Sequence, residues 1–323
     1  NMVRLHLYAV YENTLIAPDG SLDADALDRF CFFIARLKEQ GIYSYMDLND
    51  GMFYDRLAGK KLPAENGQLK FPSLFNRELI EAQKKLARAL FTHVNPYTNL
   101  RLCDDPAIAL WEITNENSMT MGWGNLKTRL PEPYYSELRG LWRDWLKGRG
   151  EADRDLPDTL GEAGSDALSR RFGAELQRRY LEEMRDFLRG LGVKAPICGT
   201  NITFTLGDLW ASQGLDYTND HGYWDHPNVR ARPMTYSNRP AVKASAWSLP
   251  MIPTFARAKV RGVPVVQSEW NYCFPNDYRC EGLPMMAAYG AYQDWDGLLF
   301  YCATGSFDAG RYARFHDAPG ILV

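Results

Sequence analysis

Two glutamates each follow an apolar segment that predicts a buried strand. Glu116 lies just after residues 108–114, and Glu269 directly follows residues 264–268. Two carboxyl groups facing one cleft can cleave a glycosidic bond, because one protonates the leaving oxygen while the other, ionised, attacks the anomeric carbon. This chemistry requires neither a cofactor nor a metal ion. The spacing therefore predicts Glu116 and Glu269 as a catalytic pair, with carboxyl groups about 5–5.5 Å apart if the configuration is retained.

Other polar side chains at predicted strand ends could support this pair. The Asn115 amide can donate to a sugar 2-hydroxyl. Arg4 can keep Glu269 ionised, or pair with a structural carboxylate such as Asp47. His221 and Tyr223 can orient a carboxyl group by hydrogen bonds, or close a polar cap on the core. The predicted supporting and substrate-binding residues are Arg4, His6, Asn49, Asn115, His221, Tyr223, Trp224 and Trp270.

Aromatic residues are abundant, with 9 Trp, 18 Tyr and 15 Phe. This composition suits a cleft in which sugar rings stack on flat apolar faces. Trp123, Trp210, Trp224 and Trp270 are the candidates for stacking, and the alternative for each is an anchor in the core or a loop. Trp270 and Trp224 are favoured because they adjoin the predicted catalytic machinery.

Cysteine and histidine spacings give no metal motif. The chain has no CxxC pair and no HExxH, and its 5 His residues are scattered. A metal-dependent hydrolase, which needs clustered ligands, is therefore disfavoured. Cys273 and Cys280 flank a short loop; we predict two free thiols there, with a disulfide in an oxidising compartment as the alternative.

Strand and helix patterns alternate along the chain, which favours a parallel sheet. The predicted strands are 3–10, 42–48, 108–114, 196–200, 215–218, 264–268 and 297–301, and the predicted helices are 23–40, 77–94, 134–146 and 167–191. Seven strands in this order predict an α/β fold of the (β/α)8 TIM-barrel class whose first strand is missing from the readable N-terminus. We expect a single catalytic domain over residues 1–323, excised from a longer protein.

Charge and hydropathy exclude several classes of protein. The chain has 37 Lys and Arg against 40 Asp and Glu, for a formal net charge of −3. This balance argues against a nucleic-acid binder. The hydrophobic content of 46% is ample for a folded core. No apolar run approaches the roughly 20 residues of a membrane helix. A carbohydrate is the predicted partner, and neither nucleic acid nor membrane is expected.

Four motifs together resemble a known group of enzymes. Val3-Arg4-Leu5-His6, Trp111–Glu116, His221-Gly222-Tyr223 and Pro264–Trp270 occur in the order seen in clan A glycoside hydrolases, most like the family 5 cellulases and mannanases. The resemblance implies that Glu116 ends strand four as the acid/base. It also implies that Glu269 ends strand seven as the nucleophile.

The resemblance has two departures, and both concern the substrate floor. Many family 5 enzymes have a His where this chain has Asn49, and they offer a Trp after the last strand where this chain has Leu299–Cys302. The expected activity is a retaining β-glycosidase acting on a polysaccharide or its oligosaccharides. The alternative is a non-catalytic glycan-binding barrel. A secreted, periplasmic or cell-surface location and flanking domains are expected, while the sugar, the linkage and endo or exo action stay open.

Overall fold

The structure is a computed structural model, and it divides the chain into two compact units. The N-terminal unit comprises residues 1–216 and the C-terminal unit residues 217–323. The described residues are 2–6, 15–17, 19–49, 54–63, 68–121, 124–161, 164–202, 205–228, 231, 233–243 and 251–301. The expectation of one catalytic domain over the whole chain stays a prediction.

A parallel sheet forms the centre of the N-terminal unit. The strands of this unit are β1 (Met2–Leu5), β2 (Tyr43–Asp47), β3 (Val94–Asn95), β4 (Leu100–Arg101), β5 (Ile108–Thr114) and β6 (Ile197–Thr200). The parallel order is β1-β2-β5-β6, while β3 and β4 pair as an antiparallel hairpin. Parallel pairing brings the carboxyl ends of the four strands to one edge of the sheet.

Helices between these strands cover the sheet with their apolar faces. They are α1 (Ala24–Glu39), α2 (Tyr54–Ala58), α3 (Arg77–Phe91), α4 (Leu126–Arg129), α5 (Tyr134–Lys147), α6 (Ala167–Gly190) and α7 (Leu206–Ala211). Asp23 and Asn76 cap α1 and α3 by accepting backbone N–H bonds from Ala26 and Leu79. Phe30 and Trp142 are among the fully buried side chains of this core. Burial of each large apolar side chain contributes about 1.5–3 kcal/mol.

The C-terminal unit contains a second, smaller parallel sheet. Its elements are β7 (Thr218–Trp224), α8 (Met251–Ala256), β8 (Val265–Tyr272), α9 (Gly282–Tyr292) and β9 (Gly297–Phe300). The strand order is β7-β8-β9. Gly222 lets α8 approach β7 closely, since a Cβ at this position would lie 2.8 Å from the Phe255 ring. The core includes the rings of Phe255, Trp270 and Tyr272.

Most predicted elements are present, but several boundaries differ. The predicted strands 215–218 and 264–268 end too early, because backbone pairing of β7 with β8 continues to Trp224 and Tyr272. The first strand is found at Met2–Leu5, and residues 7–10 lie outside the described part of the chain. Helix α9 was not predicted from the sequence; it carries no charged side chain, so it lacks the amphipathic period that marks a helix.

Two further expectations concern the thiols of Cys273 and Cys280 and the absence of a membrane helix. Cys273 and Cys280 are both free thiols, as predicted, and burial raises the pKa of the Cys273 thiol to about 12. Among the described residues, no helix combines the length and apolar character needed to cross a bilayer.

Candidate active site

A buried ionic network lies at the carboxyl edge of the N-terminal sheet. Arg4 Nη2 donates to Glu112 Oε1 at 3.0 Å, Asn115 Oδ1 at 2.9 Å and Asp47 Oδ2 at 3.3 Å. The Arg4 side chain is 5% exposed, and both carboxylates are fully buried. Arg4 thus supplies the positive charge that two buried carboxylates require. The Arg4 network consists of Arg4, His6, Asp47, Glu112, Asn115 and Asn201.

His6 extends this network in a defined tautomer. Arg4 Nη1 lies 3.0 Å from His6 Nε2, and a guanidinium can only donate, so Nε2 is the acceptor. With Nε2 as the acceptor, the neutral ring carries its proton on Nδ1, which lies 2.6 Å from Asp47 Oδ2. His6 consequently links Arg4 to Asp47 within the network, and its predicted contact with substrate stays a prediction.

Asn201, which the sequence analysis missed, joins the network to the candidate acid. Its Nδ2 donates to Glu112 Oε1 at 2.5 Å and to Asn115 Oδ1 at 2.6 Å. Its Oδ1 accepts the Glu116 backbone N–H at 2.7 Å. The available signal was position, because Asn201 directly follows β6 at the same sheet edge where Asn115 follows β5.

Glu116 has an unusual backbone conformation. Its φ is +43°, in the left-handed region that non-glycine residues rarely adopt. Such a conformation costs about 1–2 kcal/mol and persists only where the surroundings fix it. The bond from the Glu116 N–H to Asn201 is one fixing contact, and the bond from the Asn115 N–H to the Asn49 carbonyl, at 2.8 Å, is another. Strain held in this way is a marker of functional sites.

Asn49 has a supporting role in the structure, and its contact with substrate stays a prediction. Its side chain is buried, and Nδ2 donates to the Tyr54 hydroxyl at 2.9 Å and to Gln83 Oε1 at 3.0 Å. The carbonyl of Asn49 accepts from the backbone of Asn115. Asn49 therefore positions the strand end that precedes Glu116, because its polar groups are used inside the protein.

In the C-terminal unit, two side chains contact the Glu269 carboxyl group. The Tyr223 hydroxyl donates to Oε1 in a short hydrogen bond, and His221 Nδ1 lies 3.6 Å from Oε2. His221 is itself fixed, since its Nε2 lies 2.8 Å from Ser268 Oγ. Glu269 is 8% exposed. A hydrogen bond donated to a carboxylate favours its ionised form.

The burial of Trp224 and Trp270 contradicts the prediction that these two residues stack against sugar rings. They are 5% and 4% exposed and belong to the core of the C-terminal unit. Trp224 Nε1 donates to the Arg239 carbonyl, and Trp270 packs edge-on against Phe300 with ring centroids 5.3 Å apart. The pairing of β7 with β8 is regular from His221 and Glu269 onward. Successive side chains there point to opposite faces, so Trp224 turns away from Tyr223 and Trp270 turns away from Glu269. Among the other candidates, Trp123 lies outside the described residues.

A second polar cluster fixes the loop that follows β7. Asp225 has a φ of +52°, and its carboxylate accepts from the N–H and hydroxyl of Ser237, the N–H of Asn238 and the amide of Asn276. Burial raises the pKa of Asp225, but these hydrogen bonds outweigh it and leave the pKa below its ordinary value. The loop after β7 is thereby tied to Asn276, which follows β8.

Sequence comparison alone places this chain in no known group. No model of a protein family matches it, and no curated protein sequence matches it either. Proteins similar to this chain are therefore identified by comparing its fold with solved structures.

Solved structures do match the fold. An endo-β-1,4-mannanase from Thermotoga petrophila aligns with 100% of this chain at 15% identity and a TM-score of 0.62, and the alignment spans 66% of that protein. A glycoside hydrolase family 5 mannosidase from Rhizomucor miehei aligns with 94% of this chain at 11% identity and a TM-score of 0.60, over 72% of its own length. An endo-1,4-β-mannanase from Rhizomucor miehei aligns with 93% of this chain at 15% identity and a TM-score of 0.57, over 77% of its length.

These matches concern the fold. They confirm the predicted α/β, (β/α)8-barrel fold class and the resemblance to family 5 glycoside hydrolases at the level of structure. The chain spans about two thirds of the length of the Thermotoga petrophila mannanase.

Proposed function

We propose that this chain is a retaining β-glycosidase that hydrolyses β-linked oligosaccharides or polysaccharides. Glu269 is the nucleophile and Glu116 the general acid/base. The observation that carries the proposal is the strained, doubly fixed backbone of Glu116, at the edge of a sheet whose fold is shared with glycoside hydrolases. A solvated loop glutamate needs no such support.

The reaction would proceed in two displacements. Glu269 attacks the anomeric carbon while Glu116 protonates the departing glycosidic oxygen, which leaves a covalent glycosyl-enzyme. Glu116, now ionised, then takes a proton from a water molecule that attacks the same carbon and releases the sugar with retained configuration. The Tyr223 hydroxyl, which donates to Glu269, stabilises the ionised nucleophile.

Asn115 has a separate part in this proposal. Its Oδ1 accepts from both Arg4 and Asn201, which fixes the orientation of the amide plane. The Nδ2 group is assigned to the 2-hydroxyl of the sugar, where a hydrogen bond strengthens as positive charge develops on the ring. Arg4 acts through Asn115 in this scheme, and a direct pairing of Arg4 with Glu269 stays a prediction.

The choice of substrate follows from the matched structures. They include endo-mannanases and a mannosidase, so β-1,4-linked manno-oligosaccharides are the first substrates to test. β-Glucan, β-galactan and xylan form the rest of the panel. Turnover of a β-linked substrate supports the proposal, whereas binding without turnover would replace it with a glycan-binding function.

Product stereochemistry tests the two assigned roles. Glu269→Ala should abolish turnover, and azide should restore part of it and give a glycosyl azide of inverted configuration. Glu116→Ala should retain activity on aryl glycosides with good leaving groups, and azide should give the retained configuration. NMR of the two azide products is the measurement, with Glu151→Ala, at an exposed glutamate, as the control. The opposite pair of configurations would exchange the roles. Full activity of either variant on a substrate with a poor leaving group would refute the assignment.

A further inference from the structure

A groove in the N-terminal unit lies apart from the network around Glu116. It has a volume of about 540 Å³ and is lined by side chains that include Thr120, Arg170, Ala174, Leu206 and Trp210. We call it the Trp210 groove. Its walls are the first turns of α6 and the short helix α7, and its floor includes the segment after β5.

The floor of the Trp210 groove is rigid because a buried carboxylate ties its loops together. Asp208 is 1% exposed and accepts hydrogen bonds from the side chains of Ser118 and Gln177 at 2.5 and 3.1 Å. Thr120 Oγ1 also donates to it, and lies 2.9 Å from Thr205 Oγ1. The groove is therefore preformed, which lowers the entropic cost of binding a ligand.

The wall of the groove presents an apolar platform. Leu206 is 78% exposed and the Trp210 indole 38% exposed, which is unusual for neighbouring large apolar side chains. The Arg178 guanidinium lies 4.8 Å from the centroid of the Trp210 ring and steadies it. An exposed, steadied indole is suited to stacking against the apolar face of a sugar ring.

The arginines at the groove differ in their partners. Arg171 donates to Glu175 at 2.8 Å, and Arg178 donates to Glu182 at 2.8 Å. Arg170 instead donates to the neutral carbonyl of Ser165 at 2.7 Å. Within the described part of the chain, Arg170 has no carboxylate partner. Arg170 therefore presents a positive charge at the groove rim that a ligand anion could neutralise.

We propose that the Trp210 groove binds a β-linked oligosaccharide that carries a carboxylate, with a sugar ring on Trp210 and the carboxylate on Arg170. The inference rests on the proposed function, since it treats the ligand as a carbohydrate. Charge complementarity and the stacking platform select an acidic glycan, and Thr120 lies only four positions after Glu116 along the chain. The groove would then favour acidic chains over neutral ones.

A matched pair of ligands tests this inference. β-1,4-Linked mannuronate and mannose pentasaccharides differ only in the carboxylate at C6. Calorimetry measures their dissociation constants with the full chain carrying Glu269→Ala, so that neither ligand is hydrolysed during the titration. We expect the acidic ligand to bind about tenfold more tightly, as one charge-assisted hydrogen-bonded pair allows. This preference should weaken as ionic strength rises.

Variants separate the contributions of charge and stacking. Arg170→Gln should remove the preference for the acidic ligand, while Trp210→Ala should weaken both ligands about tenfold. Arg179→Gln, at an exposed arginine of the same helix, is the control and should leave both affinities unchanged. Trp210→Phe should retain most of the binding, and thermal unfolding checks that each variant is folded.

Several outcomes would overturn the inference. They are equal affinity for the two pentasaccharides, an unchanged preference in Arg170→Gln, and equally tight binding of hexaglutamate, which would indicate an acidic peptide or unspecific charge. The assay measures binding and not turnover. A protein without glycosidase activity that keeps an Arg170-dependent preference would refute only the proposed function, and an active protein without that preference would refute only this inference.

Discussion

The two candidate catalytic glutamates are held in different ways. In the N-terminal unit, the structure fixes the backbone of Glu116, through a left-handed φ and an N–H bond to Asn201. In the C-terminal unit, Glu269 lies within β8 next to an irregularity in the pairing of this strand with β7, and its side chain is contacted directly by Tyr223 and His221. The difference teaches that support residues affect the two glutamates differently. Loss of a backbone contact should displace the Glu116 carboxyl group. Loss of a side-chain contact should instead change how readily the Glu269 carboxyl group ionises.

The largest effect is expected where the Arg4 network loses its cation. Arg4→Met leaves Asp47 and Glu112 buried without their positive partner, so the free energy of unfolding should fall by about 3–5 kcal/mol. Denaturant unfolding measures the change. Arg36→Met, which removes an exposed ion pair with Glu39, should cost at most about 1 kcal/mol. An equally small loss for Arg4→Met would mean that the network is not a stabilising centre.

The second prediction concerns the backbone support of Glu116. Asn201→Ala removes the acceptor for the Glu116 N–H, and displacement of the acid should lower kcat/KM about 100-fold. The loss should be larger for poor leaving groups, which need protonation, than for activated aryl glycosides. Asn125→Ala, at the exposed cap of α4, is the control. An equal loss on both kinds of substrate would indicate general destabilisation instead of a misplaced acid.

The third prediction addresses the side-chain support of Glu269. Tyr223→Phe removes a hydrogen bond to the carboxylate, so kcat should fall about tenfold. The acid limb of the kcat/KM profile should move to higher pH, because the lost bond favours the ionised form. Tyr289→Phe, on the exposed side of α9, should change neither quantity. A profile that moves to lower pH would contradict the assigned role.

The smallest effect is expected at Asp225, which is neither a candidate catalytic residue nor a residue assigned to support Glu116 or Glu269. Its pKa is lowered in the folded state, so its contribution to stability is present above the ordinary value near pH 4 and is lost as pH falls through the lowered value. Asp225→Asn tolerates the left-handed φ and should cost about 1 kcal/mol at pH 7. The difference from the unaltered protein should shrink in unfolding measurements as the pH falls below about 4.

Sequence patterns predicted the positions of the helices and strands better than they predicted the roles of the polar residues at the strand ends. Helix α1 and the strand before Glu116 follow from local periodicity. Residues 219–224 resemble a loop in composition, yet they belong to β7, because pairing with β8 satisfies their backbone. Once β7 and β8 are extended, side-chain alternation accounts for the burial of Trp224 and Trp270. Asn201 could not be selected from composition, since its role depends on Glu116 and Glu112, both distant in sequence.

The left-handed backbone of Glu116 also affects how this protein would respond to selection in the laboratory. Glycine adopts positive φ at little cost, so Glu116→Gly should relieve the strain at that position while removing the proposed acid. A screen that selects for thermal stability alone would therefore enrich variants that are stable but have no glycosidase activity. Activity has to be scored alongside thermal tolerance for this position to keep its glutamate.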